Sequence, residues 1–204
     1  MKVELPIGLT GFSSPIGRAA ALSRDCPIAA VSGVYLWFFR NWPFQVPTDD
    51  CVQYEGAKLL YVGISPDQRS KPGSRQNLRT RVRYHLRGNA EGSTLRRTLG
   101  VLLAGESDFP LRRVGSGHRM TLTHLGEQWL DNWLDENALI SWRPDPAPWL
   151  VEHQLLQLFS CPLNLQGNQH HPFCASLREL RAAALAEARI AAVAHEGNQR
   201  RRAN

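Results

Sequence analysis

The chain has 204 residues, of which 43% are hydrophobic and 21% are charged. This balance supplies enough apolar material for a folded core and excludes a wholly disordered chain. The 24 lysines and arginines outnumber the 18 aspartates and glutamates, and the formal net charge of +6 is compatible with a polyanionic partner without identifying one.

The first half of the sequence predicts two strands followed by two helices. Residues 32–39 and 57–64 are apolar and aromatic runs bounded by turn-forming residues, which is typical of buried strands. Apolar residues at four-residue spacing then predict a helix over 78–88, and a capping serine opens a second helix over 93–105.

The second half predicts three more helices and one more strand. Residues 105–122 are glycine-containing and predict an exposed loop or a flexible hairpin, which precedes a helix over 125–137 and a third strand over 138–142. A helix over 148–159 follows and begins with a proline at its first position. The alanine- and arginine-rich composition of residues 176–195 is strongly helical.

We therefore expect an α/β (α+β) fold in which a small central sheet of three strands, mixed or antiparallel, is flanked by helices. The first two strands should be antiparallel neighbours. Residues 1–28 form a lead-in, and residues 29–175 form the main domain with a helical insertion at about 105–137. Residues 176–204 form a C-terminal helix with a basic tail, which packs on the core or mediates a homodimer.

The sequence favours a cytoplasmic protein without a membrane partner. No apolar run reaches the roughly 18 residues of a membrane-spanning helix, and residues 1–28 lack the apolar stretch of a signal peptide. The four cysteines are spread out and form no C-x-x-C pair, which is typical of reduced thiols. The spacing of Cys161, His170, His171 and Cys174 matches no usual zinc pattern, so we expect the cysteines to be small buried groups.

Three polar side chains fall on helix faces that should be apolar. Arg81 and His85 lie four residues apart beside the apolar positions Leu78 and Val82, and Glu152 shares a face with the apolar residues of its own helix. Such groups need partners or a cleft. The alternative is structural, because an arginine can extend its charged end to solvent and the helix dipole favours a glutamate near a helix start.

In chain order, these residues resemble the GIY-YIG nuclease family. The tripeptide GVY at 33–35 resembles the first signature tripeptide, and YVG at 61–63 resembles the second. The segment LRTR at 78–81 is similar to the family's helix segment that ends in the catalytic arginine, and a histidine, a glutamate and an asparagine follow in the expected order. The resemblance covers residues 30–175 approximately. The catalytic residues that it implies are Tyr35, Tyr61, Arg81, His85, Glu152 and Asn164.

The resemblance implies a metal-dependent endonuclease that hydrolyses phosphodiester bonds in DNA. In this interpretation Glu152 binds Mg²⁺ or Mn²⁺, which are hard cations that prefer oxygen ligands. Arg81 would stabilise the charge that develops on the phosphate, because its guanidinium donates hydrogen bonds in a fixed fork. Ile64 stands where the repair branch of the family carries lysine, so the branch stays undefined.

The resemblance leaves the general base open between a tyrosine and a histidine. Tyr35, with help from Tyr61, is one candidate, but a phenol with an ordinary pKa of about 10 is a weak base at neutral pH. His85 titrates closer to neutrality and is the other candidate. Asn164 carries an amide, which suits it to positioning Tyr35 or a water molecule and not to proton transfer.

The helix pair over 77–103 carries a group of arginines that predicts a surface for DNA phosphates. These residues are Arg79, Arg83, Arg87, Arg96 and Arg97. Each of these arginines could instead belong to an ordinary solvated face. Two other functions stay open at this point. The chain could be a catalytically silent nucleic-acid-binding module of the same fold, or a structural or protein-interaction domain that uses its six tryptophans and its alanine-rich tail.

Overall fold

A computed structural model of the chain describes residues 7–67 and 73–197. The basic tail at 200–202 lies outside the described residues. Within the described ranges, no helix is long and apolar enough to span a bilayer.

Seven strands and seven helices, with a short 3-10 turn at Ile7–Leu9, make up the described structure. The strands are β1 (Ile16–Gly17), β2 (Gly33–Phe39), β3 (Gln53–Tyr54), β4 (Ala57–Ser65), β5 (Arg112–Val114), β6 (Arg119–Thr121) and β7 (Ala138–Pro144). The helices are α1 (Arg18–Leu22), α2 (Leu78–Arg87), α3 (Thr94–Leu102), α4 (Ala104–Ser107), α5 (His124–Asn137), α6 (Pro148–Leu158) and α7 (Phe173–Ile190).

The central sheet has five strands in the order β1-β7-β2-β4-β3, and every pair is antiparallel. The prediction of a mixed α/β fold with β2 and β4 as antiparallel neighbours is confirmed. The prediction of three strands is wrong, because β1 and β3 add two-residue strands at the two edges. A two-residue strand is too short to show an alternating pattern in a sequence. The insertion also holds a separate hairpin, β5-β6, besides its helices.

Both faces of the sheet are buried, and they pack against different helices. Strand β2 lies between β4 and β7 and is buried along its whole length, which explains its continuous apolar sequence. Tyr35, Trp37 and Phe39 share a core with apolar residues of α2, α3, α5 and α7. The intervening residues Leu36 and Phe38 pack with α6 on the opposite face. Side chains of α2 and α6 can therefore meet only where an edge of the sheet lets the two faces join.

A β-bulge in β4 changes the direction of its side chains at Leu60 and Tyr61. Trp37 pairs with Tyr61, but the next residue, Phe38, pairs with Leu59, so Leu60 has no partner on β2. Consequently Leu60 and Tyr61 both belong to the core on the α2 face although they are consecutive. Bulges re-aim side chains in this way and are frequent next to active sites.

A buried ion network ties α3 to α5. Arg96 is 0% exposed; its Nη2 lies 2.6 Å from Glu127 Oε2 and its Nη1 lies 2.8 Å from Asp131 Oδ1. Arg18 approaches the same Asp131 carboxylate at 3.6 Å. The prediction that Arg96 contacts DNA is therefore wrong, because its guanidinium is enclosed and is neutralised by carboxylates that lie some thirty positions later in the chain.

Candidate active site

A small pocket opens at the edge of β4 that no strand covers in the described structure. Strand β3 pairs only with Ala57 and Lys58, so the later part of β4 has a free edge on that side. A cavity of about 110 Å³ lies there. It is lined by Tyr35, Tyr61, Gly63, Ile64, Asp67, Ser74, Gln76, Arg81, Thr94, Glu152, Asn164, Leu165 and Gln166. The structure thus brings together all the sequence-predicted catalytic residues in its lining except His85.

The two tyrosines reach this pocket from adjacent strands. Tyr35 pairs with Gly63, and Tyr61 pairs with Trp37, so the two phenols are diagonal neighbours on one face of the sheet. Gly63 is required by this arrangement, because a Cβ atom at that position would collide with the ring of Tyr35. The glycine of the second tripeptide therefore makes room for the tyrosine of the first.

His85 lies behind Tyr35 and not in the wall of the pocket. It is 0% exposed, and its Nε2 is 2.8 Å from the Tyr35 hydroxyl. Its Nδ1 is 2.7 Å from the Ser93 hydroxyl, at the start of α3. The ring also packs against Trp37, with 5.9 Å between the ring centroids. A continuous polar chain therefore runs from the pocket through Tyr35 and His85 to Ser93.

The hydrogen bonds of Ser93 indicate which ring nitrogen of His85 carries the proton. Ser93 caps α3, and its Oγ accepts a hydrogen bond from the Arg96 amide at 3.1 Å. Within the described part of the chain, His85 Nδ1 is the only group bonded to Ser93 that can accept the hydroxyl proton. We assign a Ser93 O–H donating to Nδ1, which places the proton of the neutral imidazole on Nε2. His85 then donates to the Tyr35 oxygen.

Burial and charge set the protonation states of these groups. Burial raises the pKa of the Tyr35 hydroxyl to about 12, although the positive charge of Arg81 acts in the opposite direction. Burial also raises the pKa of Tyr61. Burial, together with the positive charges of Arg81 and Arg96, lowers the pKa of His85 well below its ordinary value of 6.5. At neutral pH both tyrosines are therefore phenols and His85 is an uncharged imidazole.

Arg81 enters the pocket from α2. The helix begins at a capping box in which Asn77 accepts from the Thr80 amide and the Thr80 hydroxyl accepts from the Asn77 amide. This cap fixes the first turn, from which Arg81 projects. Its Nη1 donates to the Gly92 carbonyl at 3.2 Å, and its charge acts on both pocket tyrosines. The guanidinium is thereby held beside the two hydroxyl groups.

Glu152 enters the same pocket from α6, on the other face of the sheet. Pro148 opens this helix at its first position, and Leu155 and Leu156 anchor it on the core. The predicted apolar face is thus real, and Glu152 lies at its rim, partly exposed. Its negative charge acts on Tyr35 and Tyr61 across the pocket.

The carboxylates of the pocket fit a hard cation better than zinc. Glu152 and Asp67 both line it, and carboxylate oxygens suit Mg²⁺ or Mn²⁺, which complete their coordination with water and substrate oxygens. In the described ranges, no group of three or more histidine, cysteine, aspartate or glutamate side chains is placed to bind one metal ion. The four cysteines are buried free thiols, as predicted.

Asn164 bonds to the main chain of β4. Its Oδ1 accepts from the Val62 amide at 2.9 Å, and its Nδ2 donates to the Val62 carbonyl at 2.8 Å. Leu163 adds a main-chain bond to the carbonyl of Leu60 at 3.0 Å. Asn164 therefore satisfies the free edge of β4 as a neighbouring strand would, and positions the main chain between Tyr61 and Gly63. Its positioning of Tyr35 or a water stays a prediction.

The remaining predicted DNA-contacting arginines lie on or near the surface. Arg79 donates to the Ile28 carbonyl at 2.7 Å and Arg83 to the Ser23 carbonyl at 2.6 Å, so both tie α2 to the segment before β2. Arg97 donates to the carbonyls of residues 90 and 91, and Arg87 is exposed. Their contact with DNA stays a prediction.

Asp67, in the pocket lining, and Ser93, bonded to His85, are among the residues that the sequence did not assign to this site. Asp67 gave no signal, because a single acid after a strand carries no pattern. Ser93 was recognised as a helix cap, but its bond to His85 depends on the packing of α3 against α2, which no local pattern describes.

These features define an α/β domain with a polar pocket at the edge of its sheet. Comparison with known families shows that the domain is a nuclease-type catalytic domain. A model of the GIY-YIG catalytic domain matches residues 33–183, from the start of β2 into α7. The chain therefore belongs to the GIY-YIG family, as the resemblance implied. The comparisons with curated proteins and with solved structures gave no match.

Proposed function

We propose that this protein is a metal-dependent endonuclease that hydrolyses phosphodiester bonds in DNA. The proposal is carried by one observation, the meeting of Tyr35, Arg81 and Glu152 in a single small pocket although they come from three different elements. Together they supply a hydroxyl group, a fixed cation and a carboxylate, which are the groups that attack on a phosphodiester requires.

Glu152 would hold Mg²⁺ or Mn²⁺, with Asp67 as a second carboxylate in the same pocket. The bound ion would polarise the phosphate and neutralise charge on the leaving oxygen. Arg81 would donate hydrogen bonds to the phosphate oxygens, and its bond to the Gly92 carbonyl preorganises it for this contact.

Tyr35 is the better candidate for the general base, and His85 the better candidate for a positioning residue. Tyr35 lines the pocket, whereas His85 is enclosed and would donate its Nε2 proton to the Tyr35 oxygen. This hydrogen bond stabilises the phenolate relative to the phenol. The Tyr35 proton first leaves to solvent. The phenolate then takes a proton from the attacking water, whose oxygen bonds to phosphorus as the bond to the leaving oxygen breaks.

Cleavage of supercoiled plasmid tests this function against the silent binding module of the same fold. The purified protein is incubated with plasmid in Mg²⁺, in Mn²⁺ or in EDTA, and electrophoretic retardation is measured on the same samples. We expect nicked and linear DNA with either metal and intact plasmid in EDTA. Retardation of intact plasmid under all three conditions would support the silent module instead.

A further inference from the structure

Helix α7 contacts a residue of the pocket lining, although most of the helix lies beyond the region of the initial resemblance. Cys174 Sγ lies 3.8 Å from the carbonyl oxygen of Leu165, which lines the pocket. Seven residues further along α7, Arg181 donates from Nη1 to the Thr98 hydroxyl at 3.2 Å. Thr98 lies one turn of α3 after Thr94, another residue of the pocket lining. Arg181 thus lies about one helical turn from the wall of the pocket.

Arg181 is a partly buried cation without a carboxylate partner among the described residues. The charged and titratable groups that act on it are Arg97, which is also positive, and Tyr61. The described ion pairs involve other residues, and its recorded side-chain bond is to the neutral hydroxyl of Thr98. Burial and the charge of Arg97 lower the pKa of the Arg181 guanidinium. Arg97 directly precedes Thr98 on α3, so its guanidinium starts beside the residue to which Arg181 donates. Two guanidiniums close together in partly desolvated positions are unfavourable unless an anion joins them.

We propose that Arg181, together with Arg97, forms a second phosphate site that binds the nucleic-acid backbone next to the scissile phosphate. This site rests on the proposed endonuclease function and adds to it a contact made by α7. Arg97 is held for this role, because its Nε and Nη2 donate to the carbonyls of Ala90 and Glu91. Each guanidinium has five N–H groups, so donors remain on both for phosphate oxygens.

A structural brace between α7 and α3 is the competing interpretation of Arg181. A brace would lower the stability of the protein when it is removed, but it would leave the salt dependence of DNA binding unchanged. A phosphate contact releases counterions, so its loss reduces the slope of log affinity against log salt by about one. The salt slope therefore separates the two interpretations.

The test is fluorescence anisotropy of a labelled DNA duplex, in EDTA to prevent cleavage, over a series of salt concentrations. Arg181→Gln should bind about five- to tenfold more weakly at moderate salt, and its slope should fall by about one. Arg181→Lys keeps the charge and should keep most of the slope. The matched control Arg189→Gln removes an exposed arginine from the last turn of α7 and should leave both quantities unchanged. Circular dichroism and thermal melting verify that the variants are folded.

The outcomes distinguish this inference from the proposed function. If the wild type binds and cuts DNA while folded Arg181→Gln keeps the full slope, the phosphate site is overturned and the endonuclease stands. If Arg181→Gln has a lower thermal stability but an unchanged slope, the phosphate site is likewise overturned and Arg181 is a structural brace. If the wild type neither binds nor cuts DNA, the proposed function and the second phosphate site fall together.

Discussion

The Tyr35 hydroxyl lies 2.8 Å from Nε2 of His85, and this contact joins the pocket to an imidazole that solvent does not reach. The two residues come from the central strand β2 and from helix α2, so the contact depends on how the helix packs on the sheet. It gives the two groups separate roles. Tyr35 lines the pocket, and enclosed His85 bonds to the Tyr35 oxygen from behind.

The cleavage rate should rise with pH through and above neutrality. Burial raises the pKa of Tyr35 to about 12, so the phenolate fraction increases roughly tenfold for each pH unit below that value. The lowered pKa of His85 means that the imidazole is already neutral over this range and contributes no rise of its own. Single-turnover rates on a labelled duplex between about pH 6 and 9 measure the slope.

A rate that is constant across the same interval would contradict this assignment. It would indicate that neutral His85, which is available throughout, is the base. Melting curves at each pH provide the control, because they show that the fold itself does not change.

Ser93→Ala should lower the cleavage rate about tenfold, since partners that orient a functional histidine typically contribute that much. The substitution removes the 2.7 Å bond to His85 Nδ1 and also the cap of α3, which costs about 1 kcal/mol of stability. Thr123→Ala is a matched control, because it removes the cap of α5 without touching the histidine. Equal rates for the two folded variants would show that Ser93 acts only as a cap.

Gly63→Ala should displace the ring of Tyr35 and lower the rate by tenfold or more, because small misplacements of a reacting group are costly. The ring is packed in the core and has little room to move. Gly105→Ala, in open space on α4, should leave the rate unchanged. The two variants are compared by single-turnover cleavage. A Gly63→Ala protein as active as the wild type would show that cleavage does not need the close approach of the Tyr35 ring to residue 63.

Arg96→Met should destabilise the protein by about 3 kcal/mol, because it leaves two buried carboxylates without their main cation. The loss of stability is not larger because the two carboxylates have other partners. Glu127 also accepts from the Ala90 amide and the Thr121 hydroxyl, and Arg18 stays near Asp131. Urea unfolding measures the change. Arg189→Met, on the surface, is the control, and an equal midpoint for both variants would contradict the proposed network.

The sequence predicted the elements whose patterns are local. The apolar run of β2 and the four-residue spacing of α2 located the first tyrosine and the arginine, and the family motifs placed the rest in order. The edge strands escaped because two residues cannot show a period, and Arg96 was misplaced because Glu127 and Asp131 are distant in sequence. The domain boundaries, the homodimer and the cytoplasmic location stay predictions.

Asn164 shows why the details of the site needed coordinates. Its place in the motif predicted a residue near the tyrosines, and the structure puts it in the lining of that pocket. Its partner, however, is the main chain of Val62, and a main-chain partner leaves no mark in a side-chain pattern. The free edge of β4 that it covers appears only when the strand order is known.

In the proposed function, Glu152 belongs to the reacting centre although it reaches the pocket from the opposite face of the sheet. The most direct test is single-turnover cleavage in Mg²⁺ by Glu152→Gln, which keeps the size of the side chain but removes its charge. Glu136→Gln is the matched control, on the exposed face of α5 and outside the pocket lining. We predict a loss of about 100-fold or more for Glu152→Gln and none for Glu136→Gln. Equal rates for a folded Glu152→Gln protein and the wild type would exclude Glu152 from the reacting centre.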